Sequence, residues 1–131
     1  MLSDITAKQY MSSKVIAFQK NDDVLEAISK LLQARITGAP VLSEHGSLVG
    51  MLSEAECIRV VLHATYGQSM AGKVGDFMSE DVVTVNVETS IVEVAEMFDK
   101  TWARNFPVVE DVELVGIISR MDVLRALESL R

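Results

Sequence analysis

The chain of 131 residues contains one pattern twice, and this internal repeat limits its possible folds more than any other feature. A Met-Ser pair at 11–12 returns at 78–79, and a Pro-Val pair at 40–41 returns at 107–108, both at a spacing of 67 (78 − 11 and 107 − 40). The run LVGMLS at 48–53 returns as LVGIIS at 114–119, with a spacing of 66 (116 − 50). Such a repeat predicts two stacked copies of one folded unit. We therefore expect a functional cleft where the copies meet.

Each copy begins with a strand and a helix. Short β-branched or apolar runs at 15–18 and 82–85 predict the strands. Asp23 and Ser90, each with a glutamate three residues later, have the spacing of a helix start. Apolar side chains then recur at helical spacing and predict one buried stripe in each helix. The stripes are Val24, Ala27, Ile28, Leu31 and Leu32 in the first copy, and Ile91, Val94, Ala95 and Phe98 in the second.

Each copy ends with a hairpin and a second helix. Apolar runs at 39–42 and 48–52, and at 106–109 and 114–118, are separated by polar turns. The pattern is therefore strand-helix-strand-strand-helix, twice, which predicts a mixed α/β (α+β) fold. We expect a first copy at 7–65, a connector at 66–76 that is partly helical around 69–74, and a second copy at 77–128. The apolar stripes of the second helices are Ala55, Ile58, Val61 and Leu62, and Met121, Leu124, Leu127 and Leu130.

Composition excludes several classes of function. The net charge of −7 argues against nucleic acid or an anionic membrane as a partner, although a small phosphate ligand needs only a few local positive groups. The sequence has no apolar run of membrane-spanning length and no signal-peptide pattern. The single cysteine, Cys57, cannot form an internal disulfide, so a cytoplasmic location is expected. His45 and His63 lack metal-ligand spacing with Cys57, and no catalytic motif is present, so we predict neither a metal site nor an enzyme.

The order of elements, the hydrophobic-Pro-Val strand and the Gly-hydrophobic-hydrophobic-Ser-x-x-acid turn resemble a tandem pair of CBS domains, the Bateman module. The resemblance covers about residues 7–127. It implies two repeats related by a pseudo-two-fold axis, often assembled as disk-shaped dimers. It also implies an adenosine-containing ligand (AMP, ADP, ATP or S-adenosylmethionine) between the copies, although some members of the family bind nothing.

The second copy carries the better candidate site. Ser119 lies where a strand gives way to a helix, so unpaired backbone N–H groups and the positive end of the helix dipole would face a ligand there. Arg120 can bind a phosphate with two parallel donors, and Asp122 can accept hydrogen bonds from both hydroxyls of a ribose. The resemblance assigns ribose binding to this acid. Ser119 and Asp122 also have the spacing of a helix cap, which alone would explain them.

The first copy departs from this pattern. Glu56 replaces the aspartate, and Glu54 places a negative charge where the second copy has Arg120. Ser53 and Glu56 therefore form a weaker second site or only a capping box, and we predict one competent site per chain.

Further ligand contacts in the second copy follow from the resemblance alone. Asn105, Phe106 and Pro107 correspond to positions that meet an adenine, with Ile118 on the neighbouring strand. Thr84 corresponds to a position that often contributes a hydroxyl. Arg104 is a possible phosphate contact, and a solvated charge at a helix end explains it equally well. Phe106 fits a core residue better than a platform for the base.

Two hypotheses of function follow from the sequence. In the first, the chain is a stand-alone sensor that binds an adenosine nucleotide between its copies, needs no obligatory cofactor and signals to a separate, unidentified protein through a change of conformation. In the second, it is a dimerisation or interaction module that binds no ligand. In both, the chain is expected to form a homodimer. The sequence does not identify the ligand, the regulated partner, the dimer geometry or any metal dependence.

Overall fold

A computed structural model describes residues 1–67 and 72–131 of the chain. Residues 68–71, which include part of the predicted connector helix at 69–74, lie outside the described residues. The chain divides into two compact units. We call Ile16–Val82 the first-copy unit, and Met1–Val15 together with Val83–Arg131 the second-copy unit.

Six helices and six strands follow a short 3₁₀ turn at Leu2–Asp4 in the described part of the chain. In chain order they are α1 (Ala7–Tyr10), β1 (Phe18–Gln19), α2 (Val24–Ala34), β2 (Gly38–Leu42), β3 (Leu48–Ser53), α3 (Glu54–Tyr66), α4 (Val74–Phe77), β4 (Val85–Asn86), α5 (Ile91–Asp99), β5 (Asn105–Glu110), β6 (Glu113–Ser119) and α6 (Arg120–Glu128). The predicted strand-helix-strand-strand-helix order is confirmed in both copies.

Each unit contains a three-stranded sheet with the order of its strands along the chain. The first strand is parallel to the second, and the second and third form an antiparallel hairpin. The proline of each hairpin lies inside the paired region, opposite Met51 in the first-copy unit and opposite Ile117 in the second. The long helix between the parallel strands covers the sheet with its apolar stripe, as the α/β pattern predicts.

Each of the two Met-Ser pairs packs against the sheet of the other copy in the sequence. Ser12 exchanges two backbone hydrogen bonds of 2.9 Å with Ile117 of β6, and Ser79 does the same with Met51 of β3. Each pair therefore adds one antiparallel bridge to the outer edge of a sheet. The short helices α1 and α4 precede these bridges, and the sequence reading missed both, because four residues are too few to show a helical period.

Three details of the sequence interpretation are corrected. β1 and β4 begin at Phe18 and Val85, three residues later than predicted. Only the last residue of each predicted run, together with the residue after it, pairs with β2 or β5. Leu32 is 73% exposed, so the apolar stripe of α2 is narrower than the sequence suggests. In the described part of the predicted connector helix, Gly72 and Lys73 are not helical, and α4 begins only at Val74.

The apolar stripes of the second helices lie largely on the surface. α6 buries Ala126 and half-buries Val123 against the core of its unit, and α3 buries Val60. The stripe residues on the opposite side of these helices are about half exposed: Ile58, Val61 and Leu62 on α3, and Met121, Leu124 and Leu127 on α6. Leu130, also about half exposed, lies beyond the end of α6.

Candidate functional site

The N-terminus of α6 is closed by a reciprocal pair of hydrogen bonds between Ser119 and Asp122. The backbone N–H of Ser119 donates to Asp122 Oδ2 at 2.8 Å, and its hydroxyl donates to the same oxygen at 3.0 Å. In return, the backbone N–H of Asp122 approaches Ser119 Oγ at 3.3 Å. This is the capping box that the sequence predicts, and it fixes the orientation of the candidate ribose-binding carboxylate.

The second oxygen of Asp122 forms an ion pair with Arg125. Arg125 Nη1 lies 2.7 Å from Asp122 Oδ1, and only 16% of the aspartate side chain is exposed, against 60% for the arginine. The ion pair offsets the charge of the carboxylate, and together with the capping box it holds both oxygens in place. The sequence reading missed Arg125, although its i, i+3 spacing from Asp122 on one helix face is a usable signal.

Arg120 is turned toward the end of α5 and contacts backbone carbonyls. Its Nε donates to Ala103 O at 2.8 Å, and its Nη2 donates to Phe98 O at 3.1 Å and to Thr101 O at 3.0 Å. The guanidinium carbon also lies 5.5 Å from the centre of the Phe98 ring, within the range of a cation–π contact. Arg120, which the sequence predicts to bind a phosphate, therefore caps the C-terminal end of α5 in this structure.

The β5–β6 ladder brings the other candidate residues to the same end of the sheet. Asn105 pairs with Ser119, Phe106 with Ile118, and Pro107 with Ile117. Phe106, Pro107 and Ile118 are buried, and the Phe106 ring stacks on Phe98 with centroids 4.4 Å apart. These side chains belong to the core, so a ligand could meet only their backbone groups in this conformation.

Thr84 and Arg104 are exposed and lie outside the strands. Thr84 immediately precedes β4, whose first residue pairs with Val108 of β5. Arg104 immediately precedes β5, and its carbonyl accepts a hydrogen bond of 3.2 Å from the backbone N–H of Arg120. The structure thus gathers Arg104, Asn105, Ser119 and Arg120 where β5 begins and β6 ends.

The corresponding cap in the first-copy unit is more deeply buried. The N–H and the hydroxyl of Ser53 both donate to Glu56 Oε1, at 2.8 Å and 2.5 Å. Glu56 is only 6% exposed, and no described residue forms an ion pair with it. Burial raises the pKa of the adjacent Cys57 thiol above its ordinary value of 9.0, and the carboxylates of Glu56 and Glu54 raise it further. Two carboxylates, those of Glu54 and Glu56, lie at this cap and disfavour a phosphate.

Two further properties concern the described ranges, 1–67 and 72–131. No group of three or more His, Cys, Asp and Glu side chains in these ranges could hold a metal ion. None of the helices in these ranges has both the length and the apolar character needed to cross a bilayer.

Two sheet-and-helix repeats, each with an acid-capped helix directly after its hairpin, define a class of small tandem-repeat proteins. The chain belongs to the CBS domain family, whose model matches residues 7–63 and 74–129. The resemblance recognised in the sequence is therefore confirmed.

Several relatives are recognisable by sequence. Protein MJ0188 of Methanocaldococcus jannaschii is 31% identical over 125 residues, which cover 93% of this chain and 44% of that protein. Protein MJ1225 of the same organism is 28% identical over 122 residues, covering 93% of this chain and 42% of that protein. The chain thus spans less than half the length of these relatives. It spans 82% of YhcV of Bacillus subtilis, a CBS domain-containing protein that is 28% identical over 119 residues and matches 90% of this chain.

Solved structures share the fold. CBSX2 in complex with AMP superposes with a TM-score of 0.84 at 25% identity, covering 96% of this chain and 98% of that one. CBSX2 from Arabidopsis thaliana gives a TM-score of 0.80 at 26% identity, covering 96% of both chains. The CBS domain pair of MJ0100, solved with 5′-methylthioadenosine and S-adenosyl-L-methionine, gives 0.82 at 24% identity over 96% and 98%, a likeness of fold alone.

Proposed function

We propose that this chain is a regulatory CBS-pair protein that binds one adenosine-containing ligand at the N-terminus of α6. The observation that carries the proposal is the carboxylate of Asp122, which is mostly buried and fixed through both oxygens beside a helix N-terminus. A fixed acceptor pair suits the two hydroxyls of a ribose because little conformational freedom is lost on binding. The AMP complex of CBSX2, at 25% identity, supports the choice of ligand class.

The surrounding charges favour a ligand that carries phosphate. Arg120 and Arg125 flank Asp122 on the first turns of α6, and the positive end of the helix dipole adds a partial positive charge. AMP, ADP and ATP present anionic groups to this region, whereas the sulfonium of S-adenosylmethionine carries the opposite charge. We therefore rank the three nucleotides above S-adenosylmethionine, and we assign no obligatory cofactor.

The first copy contributes a weak site or none. Its cap offers Ser53 and a buried Glu56 beside Glu54, with no arginine at the position of Arg120. A nucleotide phosphate would meet carboxylates there, so we expect one strong site per chain. Isothermal titration should then give a stoichiometry near one.

The output of binding would be a change of conformation that a separate, unidentified protein reads. A ligand shifts such an equilibrium only by the difference between its affinities for the two conformations. The chain itself would act as a regulator without catalysis. The identity of the regulated protein does not follow from the residues.

A second copy of the chain is the partner that we assign to the exposed apolar stripes of α3 and α6. Leu124 and Leu127 of α6 are each more than half exposed, at 55% and 54%, on a face that is apolar over about two turns. Such continuous apolar surface on a helix is typical of an interface. The alternative function, a dimerisation module without a ligand, is favoured by the same stripes and by the engagement of Arg120 with carbonyls.

A thermal-shift and calorimetry series separates the two functions. AMP, ADP, ATP and S-adenosylmethionine are titrated into the wild type, Asp122→Ala and the matched first-copy variant Glu56→Ala. A ligand at 100 times its Kd should stabilise the wild type by about 2.7 kcal/mol through mass action. Asp122→Ala should weaken binding at least about tenfold, since it removes charge-assisted hydrogen bonds.

The comparison uses the ligand-induced shift of each variant, because loss of the cap alone lowers stability by about 1 kcal/mol. Glu56→Ala should leave the ligand-induced shift unchanged. A shift that survives Asp122→Ala overturns the site, and the absence of any shift with all four ligands leaves the dimerisation module as the function.

A further inference from the structure

The two copies end their first long helix in different ways. α2 ends through Arg35, whose backbone adopts a left-handed conformation (φ 55°) and donates its N–H to the carbonyls of Leu31 and Leu32. α5 has no such residue, since its last position is followed by Lys100 with φ −93°. A side chain from another helix, Arg120 of α6, supplies donors to the end of α5 instead.

Arg120 holds the connection between α5 and β5 at three points. It donates to the carbonyl of Phe98 inside the last turn of α5, and to the carbonyls of Thr101 and Ala103 beyond it. The first copy has Glu54 at this position, and a carboxylate cannot donate to a carbonyl. This guanidinium therefore ties the loop from Lys100 to Arg104, which we call the α5–β5 loop, to α6. The Thr101 hydroxyl, which donates to Met97 O and accepts from Ala103 N–H, and the Arg104 carbonyl, which accepts from the Arg120 N–H, add further bonds.

The same guanidinium belongs to the first residue of α6, directly after Ser119. A phosphate bound at this helix N-terminus would compete with three neutral carbonyls for one cation. A hydrogen bond from arginine to an anionic oxygen is stronger than one to a neutral carbonyl. The described residues supply no acceptor for Nη1, so this amino group is available for the first contact with a phosphate.

We propose that Arg120 is a ligand-operated latch, which closes the end of α5 without ligand and moves to the phosphate of a bound nucleotide. The inference rests on the proposed function and adds its regulation. Release of the three carbonyls loosens the α5–β5 loop, which carries the 99% exposed Trp102 at its centre. Adenosine has the same ribose and base without the phosphate, so it occupies the site and leaves the latch closed.

The position of Trp102 makes the latch directly measurable. Trp102 is the only tryptophan in the 131 residues, so selectively excited tryptophan emission reports on the α5–β5 loop alone. The side chain is exposed in the latched form, and its emission anisotropy therefore records the motion of the loop more than a change of polarity. Loss of the Arg120 contacts should lower that anisotropy.

The experiment compares AMP with adenosine on the full chain, with calorimetry in parallel to establish that each ligand is bound. We expect the anisotropy of Trp102 to fall as AMP saturates the site and to stay constant with adenosine. Arg120→Gln should show the low value without ligand, no further fall with AMP, and a ratio of adenosine Kd to AMP Kd that moves toward one. Arg131→Gln, an equal loss of charge on the terminal residue, should behave as the wild type.

The wild-type comparison alone decides the proposal, even where Arg120→Gln folds poorly. AMP that is bound by calorimetry and leaves the anisotropy unchanged overturns the latch while the proposed function stands. An equal fall with adenosine also overturns it, because the phosphate would then not be the trigger. Absence of binding by both ligands removes the proposed function together with the latch.

Discussion

Gly116 in the middle of β6 lies directly against Met11, with no space for a side chain between them. A Cβ at position 116 would come within 2.5 Å of the Met11 sulfur and within 2.9 Å of the Ser12 carbonyl oxygen. The first-copy unit repeats the arrangement, with Gly50 against Met78 and the carbonyl of Ser79. The recurrent glycine of each copy is thus explained by close approach of a bridging segment.

Gly116→Ala should destabilise the chain by about 1–3 kcal/mol, because backbone and side chain must both shift to admit one methyl group. Urea denaturation followed by circular dichroism measures the loss. Met11→Ala in the same chain should restore only part of it, since the Ser12 carbonyl remains in the way. Full recovery of stability in the double variant would contradict this expectation, because the Met11 side chain alone would then be what excludes a Cβ at position 116.

Val112→Gly should stabilise the chain by about 0.5–1 kcal/mol. Asp111 and Val112 form the two-residue turn between β5 and β6 with φ of 50° and 65°, and a β-branched residue is strained there. The gain is smaller than the full relief of strain, because glycine loses more entropy on folding. Gly46→Ala is the matched reverse: φ is 85° with open space around it, so strain alone should cost about 1 kcal/mol. Equal urea midpoints for wild type and Val112→Gly would contradict this reasoning.

Leu124→Glu should convert the proposed dimer to a monomer, because it buries a charge in an apolar interface on α6. Sedimentation velocity at several concentrations measures the change. Leu32→Glu is the control, since Leu32 is even more exposed but belongs to a different helix, α2. A monomeric wild type, or dissociation by both substitutions, would rule out this interface.

Alkylation of Cys57 should reach half of its maximal rate above pH 9.0, because burial and the neighbouring carboxylates disfavour the thiolate. Iodoacetamide labelling across alkaline pH measures this directly. Glu54→Gln should lower the midpoint only slightly, since burial is the largest cause of the raised pKa. A midpoint at or below 9.0 would contradict the prediction.

The raised pKa of Cys57 also affects the stability of the folded chain. The unfolded chain deprotonates Cys57 at lower pH than the folded chain, so stability should fall as pH rises past the unfolded pKa. Cys57→Ser should lack this alkaline loss, which pH-dependent urea midpoints would show.

Local patterns in the sequence were sufficient to predict the order of the helices and strands and the caps at the N-termini of α3 and α6. Ser119 and Asp122 form the predicted reciprocal hydrogen bonds, and Ser53 donates to Glu56, because a capping box depends on spacing within four residues. Local spacing also predicted the burial of the apolar stripes of α2 and α5, with the exception of Leu32. The limits of β1 and β4 could not be predicted from local patterns, because pairing with a strand that is distant in the sequence determines where they begin and end.

The role of Arg120 shows where sequence reasoning stopped. Its position beside Ser119 predicted a phosphate contact, and the structure places its donors on Phe98, Thr101 and Ala103. These carbonyls lie 17 to 22 residues away in the sequence, and no spacing rule connects them to position 120. The sequence identified the cation, and the tertiary structure decided which groups it contacts in the absence of ligand.

By itself, the sequence determined that the chain consists of two like copies with helices capped by a serine and an acid, since these properties depend on neighbours a few residues apart. Only the tertiary structure decided that the segment around Ser12 joins the sheet of the second copy, and that Ser79 joins the sheet of the first. The physical reason is that a sheet edge accepts any strand of suitable hydrogen-bonding geometry, and chain connectivity alone does not specify which copy provides it.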